Sequence, residues 1–238
     1  MDFTAKYSVV VPVYNSEKTL QELCKRTADT FRKMNETFEI VLVNDFSTDN
    51  SWNVIRELKK EYGEILTAIH LRRNFGQHKA ILCGFQYASG EYIITIDDDL
   101  QFSPEDIEIL IEQAVATQAD LVYGTYRDER QHSTTRKWGS LFVGLIFEKF
   151  GNTIGQGSSF KIIHRSVIDK IKDYNHSFTF IDEILSWHTT KTEWAEVSHS
   201  PRREGTSGYS LFKLVFLSLN LIFAYTTGPL RFMTWFGF

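Results

Sequence analysis

The chain has 238 residues, 42% of them hydrophobic, and its 26 basic and 30 acidic residues give a net charge of −4. These values exclude a disordered or collagen-like chain, and the length favours one large α/β domain. Because binding to a nucleic-acid backbone needs a positive field, the charge also argues against a general nucleic-acid binder. The two cysteines, Cys24 and Cys83, lack the C-x-x-C spacing and therefore indicate neither a disulfide framework nor a zinc site.

Five short apolar runs, rich in β-branched and aromatic residues, predict strands along the first half of the chain. They are Tyr7–Val13, Glu39–Val43, Ile65–Leu71, Tyr92–Ile96 and Leu121–Tyr123. The segments between them repeat their apolar residues at helical spacing. This alternation predicts an α/β fold with a mostly parallel central sheet and helices on both faces.

Start signals for helices occur between these strands. Ser16 is placed to cap the first helix, and Asp49 precedes the second apolar pattern by one residue and is placed to cap it. Ser103 and Pro104 mark the start of the clearest helix, whose apolar face we expect to extend to Val115. After residue 126 the alternation weakens, and no further strand is predicted.

Polar residues directly follow three of the predicted strands. Tyr14 and Asn15 follow the first strand, Asn44 and Asp45 the second, and Asp97–Asp99 the fourth. In an open α/β sheet, ligands bind beyond the carboxyl ends of the strands. We therefore expect these three junctions to form a ligand site.

Three adjacent carboxylates, Asp97, Asp98 and Asp99, end the fourth strand, and Gln101 adds an amide oxygen. Like charges this close repel, and a divalent cation removes the penalty. Carboxylate and amide oxygens suit Mg²⁺ or Mn²⁺, which complete their coordination with substrate phosphates. The alternative, an acidic turn that caps the helix after Ser103, explains one aspartate but not three. Since the chain lacks a P-loop and a G-x-G-x-x-G motif, the cluster predicts a metal-held nucleotide diphosphate.

Seven segments carry recognisable motifs. They are Val11–Asn15, Val43–Asp49, Arg73–Gly76, Asp97–Gln101, Pro104–Glu105, Arg202–Tyr209 and Thr227–Arg231. The first five resemble the inverting family 2 glycosyltransferases in order and spacing. Asp99–Gln101 and the last two segments resemble the polyprenyl-phosphate branch of that family, which includes dolichol-phosphate mannose synthases and bacterial undecaprenyl-phosphate sugar transferases. The resemblance covers nearly the whole chain and implies a nucleotide-sugar-binding fold of the GT-A type.

The resemblance also implies roles for single residues. Pro12, Tyr14 and Asp45 would contact the nucleotide base and ribose, with Arg73 nearby. Asn15 would belong to the same nucleotide-sugar site. Asp97 and Asp98 would help hold the sugar nucleotide, and Asp99 and Gln101, together with Asp97, would bind the metal. Without the resemblance, Pro12 and Tyr14 also fit ordinary turn residues and Arg73 fits a solvated loop charge.

Transfer with inversion needs an acceptor that attacks the anomeric carbon opposite the leaving diphosphate. A saccharide hydroxyl would need a general base, whereas a lipid phosphate is largely dianionic at neutral pH and needs only cations to position it. Arg127 and Arg202 match the branch pattern for such cations, and arginine suits phosphate through its forked donors. Arg130 and Arg203 are explained equally well as solvated charges.

An acidic pair, Asp182 and Glu183, leaves the acceptor open. Family members that act on hydroxyls often have their general base in such a pair. If the acceptor is a hydroxyl, Asp182 or Glu183 is therefore the candidate base, and Asp182 is the preferred one. The alternative, which we favour, is the polar face of a helix whose Ile181, Ile184 and Leu185 face inward.

The leading function is transfer of a sugar from a nucleotide-diphosphate sugar to a polyprenyl, undecaprenyl-type phosphate in cell-surface polysaccharide or glycolipid synthesis. A saccharide-hydroxyl acceptor is the alternative, and a non-catalytic nucleotide-sugar-binding protein is the weaker one.

We expect a GT-A catalytic domain over residues 1–209, with a nucleotide-sugar half at 1–125 and an acceptor half at 126–209. The apolar stretch Leu211–Tyr225 is shorter than the ~20 residues that span a bilayer. Its basic and aromatic surroundings predict an amphipathic, membrane-proximal segment over 210–238 on an anionic membrane surface. We expect peripheral attachment at the cytoplasmic face of the plasma membrane, no nucleic-acid partner, and leave a homo-oligomer open.

Overall fold

The computed structural model describes residues 5–126, 158–174 and 180–200. Within these ranges seven strands form one sheet in the order β3-β2-β1-β4-β6-β5-β7. The strands are β1 (Tyr7–Val13), β2 (Phe38–Asn44), β3 (Leu66–His70), β4 (Tyr92–Thr95), β5 (Leu121–Thr125), β6 (Lys161–His164) and β7 (Thr192–Glu196). Strand β6 runs antiparallel to β4 and β5, and the other four pairings are parallel. The predicted mostly parallel sheet is therefore confirmed.

Six helices cover the sheet in the described part of the chain. They are α1 (Leu20–Met34), α2 (Ser51–Tyr62), α3 (Gln77–Tyr87), α4 (Ile107–Thr117), α5 (Arg165–Ile171) and α6 (Ile181–Ser186). Buried side chains of α1, α2 and α4 form one hydrophobic core with one face of the sheet. Those of α3, α5 and α6 form a second core on the other face. Each strand of the centre is thus buried on both faces, which is why β1 and β2 are continuous apolar runs.

The five predicted strands all form, and their observed ends differ from the predicted ones by no more than two residues. Three local expectations need correction or qualification. Thr19, not Ser16, is the N-cap residue of α1, and Val115 is 60% exposed and so lies off the buried face of α4. Asn50 is the N-cap residue of α2, but Asp49 does accept a hydrogen bond from the Ser51 amide at 3.0 Å, as a capping carboxylate would.

The chain order of the strands places the predicted site at a reversal of the sheet. From β1 the chain adds β2 and β3 on one side, and β4 then pairs with β1 on its other side. The carboxyl ends of β1 and β4 therefore meet at a topological switch point, where open α/β sheets bind ligands. The Tyr14–Asn15 junction and the aspartate cluster follow these two strands.

Several expectations fall outside the described residues. They concern the arginines Arg127, Arg130, Arg202 and Arg203 and the segment 210–238. In the ranges that the structure describes, no helix is long and apolar enough to cross a membrane.

Candidate active site

Asp98 joins the ends of the two strands that meet at the switch point. Its Oδ2 atom accepts hydrogen bonds from the Tyr14 amide at 2.8 Å and from the Ser16 hydroxyl at 2.5 Å. The Thr19 hydroxyl donates to the Asp98 carbonyl oxygen, also at 2.5 Å. The middle carboxylate of the cluster is therefore turned towards the β1–α1 loop, and it fixes the position of that loop.

The environment of Asp98 weakens its acidity. Burial raises the pKa of Asp98 to about 7, and the charges of Asp97 and Asp99 act in the same direction. Hydrogen bonds from Ser16 and Tyr14 oppose this shift but do not cancel it. The raised pKa favours the protonated form of the Asp98 carboxyl, which reduces the repulsion within the cluster.

Asp97 is held at both carboxylate oxygens. Gln77, the first residue of α3, donates from Nε2 to Oδ1 at 2.6 Å, and the Ser159 hydroxyl donates to Oδ2 at 2.6 Å. Ser159 precedes β6, whose first strand residue pairs with Thr95 at the end of β4. The carboxylate orientation is therefore set by α3 and by the segment that precedes β6.

Asp99 and Gln101 lie on a tight turn that leaves β4. Leu100 between them has a φ of +58°, a left-handed conformation that non-glycine residues seldom adopt. The Gln101 amide donates to Asp99 Oδ1 at 3.1 Å, and the Ser200 amide donates to the Gln101 carbonyl oxygen at 2.8 Å. Gln101 also lines a cavity beside the cluster.

The oxygen donors of this turn fit a small divalent cation. Within the described residues, no group of three or more His, Cys, Asp or Glu side chains is arranged as a metal site. Mg²⁺ in enzymes, however, is typically held by one or two carboxylates together with substrate phosphates and water. The Asp99 carboxylate and the Gln101 amide are of that kind, so the donor set suits a metal that arrives with a phosphorylated substrate.

The cavity beside the cluster has a volume of about 540 Å³. Asp97, Gln101 and Ser159 form its polar end, and Tyr126, Trp194 and His199 contribute aromatic walls. The rings of Tyr126 and His199 stack with centroids 3.8 Å apart and an angle of 8° between their planes. Among the described lining residues there is one carboxylate and no lysine or arginine, so the cavity suits a neutral polar group with a flat apolar side.

Asp45 organises the loop before α3. The side chain is 3% exposed, and its two oxygens accept hydrogen bonds from the amides of Phe75 and Gly76 at 2.7 and 2.8 Å. Arg73 in the same loop places its guanidinium 4.5 Å from the centre of the Phe75 ring. Asp45, which the resemblance assigns to the base, thus also positions the loop that carries Arg73.

The remaining junction residues bridge the β1 and β2 ends. Asn15 has a φ of +56°, donates its amide hydrogen to the Ser47 hydroxyl, and accepts the Thr48 amide at 2.8 Å. Tyr14 is 49% exposed beside it, whereas Pro12 is buried inside β1. The structure therefore brings Tyr14, Asn15 and Asp45 to one edge and leaves Pro12 within the strand.

Asp182 lies in a buried ion pair rather than on a solvated helix face. Its Oδ1 atom accepts hydrogen bonds from the Lys161 ammonium and from the Tyr123 hydroxyl, the latter at 3.1 Å. The side chains of Lys161 and Asp182 are 3% and 13% exposed. As expected for the favoured reading, Ile181, Ile184 and Leu185 face inward, and the neighbouring Glu183 carboxylate accepts the Trp187 indole N–H at 3.2 Å.

Sequence reasoning missed several residues of this region. They are Gln77, Ser159 and Lys161, with the aromatic walls Tyr126, Trp194 and His199. Two of them had a signal in the sequence. Gln77 directly follows the Arg73–Gly76 motif, and Lys161 interrupts an apolar run at 160–163, where a lone lysine indicates a buried acidic partner. Tyr126, Trp194 and His199 are brought together only by the folding of the sheet, and the sequence around them carries no such signal.

Comparison with known proteins agrees with this geometry. The family model described as "Glycosyl transferase family 2" matches residues 8–172, which include the switch point and the aspartate cluster. The chain belongs to this glycosyltransferase family. An undecaprenyl-phosphate 4-deoxy-4-formamido-L-arabinose transferase from Serratia proteamaculans is 37% identical over 234 residues. That alignment covers 98% of this chain and 71% of the relative.

Solved structures with similar folds are also glycosyltransferases. TarS residues 1–349 from S. aureus in complex with UDP-GlcNAc gives a TM-score of 0.59 at 20% identity, covering 94% of this chain and 67% of that one. The mannosyltransferase PcManGT from Pyrobaculum calidifontis, in complex with GDP-Man and Mn²⁺, gives a TM-score of 0.58 at 15% identity over 85% and 59% of the two chains. At these identities the likeness concerns the fold, which is that of the GT-A family 2 glycosyltransferases.

Proposed function

We propose that this family 2 glycosyltransferase transfers a sugar, with inversion, from a nucleotide-diphosphate sugar to a polyprenyl phosphate, and that it uses Mg²⁺ or Mn²⁺. The observation that carries the proposal is the aspartate cluster at the switch point, with a cavity free of described cationic side chains next to it. Support for the acceptor comes from the relative named for undecaprenyl phosphate. Support for the metal comes from a structural neighbour crystallised with Mn²⁺.

On this proposal the donor lies along the carboxyl edge of β2, β1 and β4. Tyr14, Asn15 and Arg73 line the base and ribose end, where Tyr14 and the Arg73–Phe75 pair offer exposed flat groups. Asp45 supports this end, and Pro12 acts from within β1 by shaping the turn. The transferred sugar occupies the cavity of about 540 Å³, with its apolar face against the aromatic walls.

The diphosphate lies beside the aspartate turn in this arrangement. Asp99 and Gln101 would hold the divalent cation, with Asp97 next to it and Asp98 keeping the β1–α1 loop in place. When bound, the cation supplies charge stabilisation for the diphosphate that departs. The chain's own contribution is orientation, because Leu100 and the Ser200 amide fix the turn on which both oxygen donors lie.

The acceptor assignment receives support from the surroundings of Asp182. A general base must reach the proton that it removes and must be able to take it up. The Asp182 carboxylate is instead turned towards Lys161 and the Tyr123 hydroxyl, and its side chain is only 13% exposed. A phosphate acceptor needs no base, since its second pKa near 6 leaves it largely dianionic at neutral pH. Arg127 and Arg202, which lie outside the described residues, are the cations proposed to position it.

We further propose that the protein works at an anionic membrane surface, on its cytoplasmic face, through the segment 210–238. The sequence of this segment combines basic, aromatic and aliphatic residues, the composition of an interfacial helix. Flotation with liposomes of anionic and of neutral lipid at low salt tests this part. Equal or absent binding to both would contradict it.

The test of the proposed function is a donor panel. The full chain is incubated in detergent with UDP-, GDP-, CDP- and dTDP-sugars, with Mn²⁺ or Mg²⁺, and with or without undecaprenyl phosphate. We expect one donor to give a glycosylated lipid phosphate by mass spectrometry, and chelation by EDTA to abolish it. Asp99→Ala should lose the product and the exposed-site control Asp173→Ala should keep it. Absence of lipid product with every donor would refute the proposal.

A further inference from the structure

The first turn of α3 contacts the aspartate cluster through one exposed side chain. Gln77 projects its amide to Asp97 and donates to Oδ1 at 2.6 Å. The second oxygen of the carboxylate accepts the Ser159 hydroxyl. A hydrogen bond from a neutral amide to a carboxylate is among the stronger ones, and here it fixes the rotation of the group.

The start of this helix is anchored by a second carboxylate of the site. Asp45 accepts the Phe75 and Gly76 amides, which immediately precede Gln77. Gly76 has a φ of +89° and is the N-cap residue, and its carbonyl oxygen accepts the amides of Lys79 and Ala80. The position of Gln77 is therefore set by Asp45 through two residues of backbone.

The next residue of the same turn reaches the other half of the molecule. The imidazole of His78 packs against the Phe180 ring with centroids 4.7 Å apart, and its Nδ1 atom accepts the Ile181 amide at 3.4 Å. Burial lowers the pKa of His78 to about 4, so the ring is neutral and Nδ1 can accept. The turn thus contacts β2, the aspartate cluster and α6 at once.

We infer that Gln77 is a positioning residue for Asp97 and that the first turn of α3 transmits the position of Asp45 to the aspartate cluster. The inference rests on the proposed function, in which Asp45 lies at the base end of the donor and Asp97 at its sugar and diphosphate end. Gln77 then aligns the two ends of one ligand. His78 holds the turn against α6 so that the alignment is rigid.

The exposure of Gln77 separates this role from a structural one. Its side chain is not part of either hydrophobic core, so removing it should leave the stability of the fold nearly unchanged. The matched control is Gln86 near the other end of α3, which is also exposed and whose Nε2 donates to the Lys172 carbonyl oxygen at 3.1 Å. It is a glutamine on the same helix with one hydrogen bond, far from the carboxyl edge of the sheet.

The experiment measures donor binding by calorimetry with Mn²⁺ and with UDP-GlcNAc, UDP-glucose and GDP-mannose as probes. Gln77→Ala, Gln77→Glu, Asp97→Asn and the double variant Gln77→Ala/Asp97→Asn are compared with Gln86→Ala and Gln86→Glu. We expect Gln77→Ala to weaken binding about tenfold, the lower end of what one hydrogen bond to a charged group contributes. Gln77→Glu should weaken it further, because a second carboxylate would then face Asp97.

The decisive readout is the double variant. If Gln77 acts through Asp97, Gln77→Ala should have little further effect once Asp97 is already Asn. Three results would each overturn the inference. The first is equal binding by the wild type and both Gln77 variants, and the second is additive effects in the double variant. The third is a loss of Tm in Gln77→Ala large enough for unfolding to account for the whole loss of binding. If the wild type binds neither these probes nor any nucleotide sugar of the donor panel, the proposed donor class fails and the inference falls with it. Normal binding in the Gln77 variants overturns the inference alone.

Discussion

The buried pair of Lys161 and Asp182 makes a sharp prediction about stability. Both side chains are largely shielded from water, at 3% and 13% exposure. Removing one member of such a pair leaves an uncompensated buried charge and costs about 3–5 kcal/mol. Asp182→Ala should therefore lower the free energy of unfolding by that amount. For a domain of this size the Tm should fall by roughly 10 °C.

A double variant separates this structural role from a role as general base. Lys161→Met with Asp182→Asn removes both charges and keeps an acceptor for the Tyr123 hydroxyl. It should recover stability to within about 1 kcal/mol of the wild type, because a neutral pair of similar volume replaces the ion pair. Glu183→Gln on the same helix is the control and should change stability by less than about 1 kcal/mol.

The assays are urea unfolding followed by tryptophan fluorescence and, on the same samples, sugar transfer to undecaprenyl phosphate. We expect the double variant to retain transfer within a few-fold of the wild type. If Asp182→Ala stays as stable as the wild type and loses about 10²-fold or more in turnover, then Asp182 is a base and the account of the acceptor is wrong.

Three further predictions concern pH, packing and the metal. The folded state binds a proton at His78 only near pH 4, whereas the unfolded chain does so near pH 6.5. As pH falls from 6.5 to 4, His78 should therefore lower the free energy of unfolding by on the order of 2–3 kcal/mol. The raised pKa of Asp98 acts with the opposite sign, because it favours the folded state as pH falls. The quantity to measure is therefore the difference in free energy of unfolding between the wild type and His78→Gln, from urea titrations with EDTA at several pH values. A difference independent of pH would contradict the prediction. Gly124→Ala should cost about 1–3 kcal/mol, since an added Cβ would lie 2.8 Å from the Phe160 ring, and an unchanged Tm would refute this. Asp99→Asn should weaken Mn²⁺ binding about tenfold or more by electron paramagnetic resonance in the presence of UDP or GDP, and unchanged affinity would remove Asp99 from the metal site.

The parts of the fold that sequence predicts well are those with one dominant local signal. The first strand, Tyr7–Val13, is predicted to the residue because a run buried on both faces must be continuously apolar. The antiparallel strand β6 was missed because it has four residues and begins at Lys161. A charged residue in a short apolar run indicates a loop unless its buried partner is known. The partner of Lys161 is Asp182, which is brought beside it only by the packing of α6 on the sheet.

The site divides in the same way. The Asp97–Asp99 cluster could be predicted because a helix-capping turn explains one carboxylate after a strand but not three. The direction of each carboxylate could not, since Asp98 turns to the β1–α1 loop and Asp97 to α3 and Ser159 through contacts 20 to 84 residues apart. Such contacts depend on the order of strands in the sheet, which the local pattern of the chain does not contain.

The central claim is that the acceptor is a phosphate that needs no base. In the most direct measurement, the full chain is incubated with its preferred nucleotide sugar and Mn²⁺. The acceptor supplied is either undecaprenyl phosphate or undecaprenol. These two lipids differ only in the phosphate. We expect glycosylated product from the phosphate alone, and the Lys161→Met/Asp182→Asn variant should form it within a few-fold of the wild-type rate. Product from the alcohol, abolished by Asp182→Asn, would contradict it.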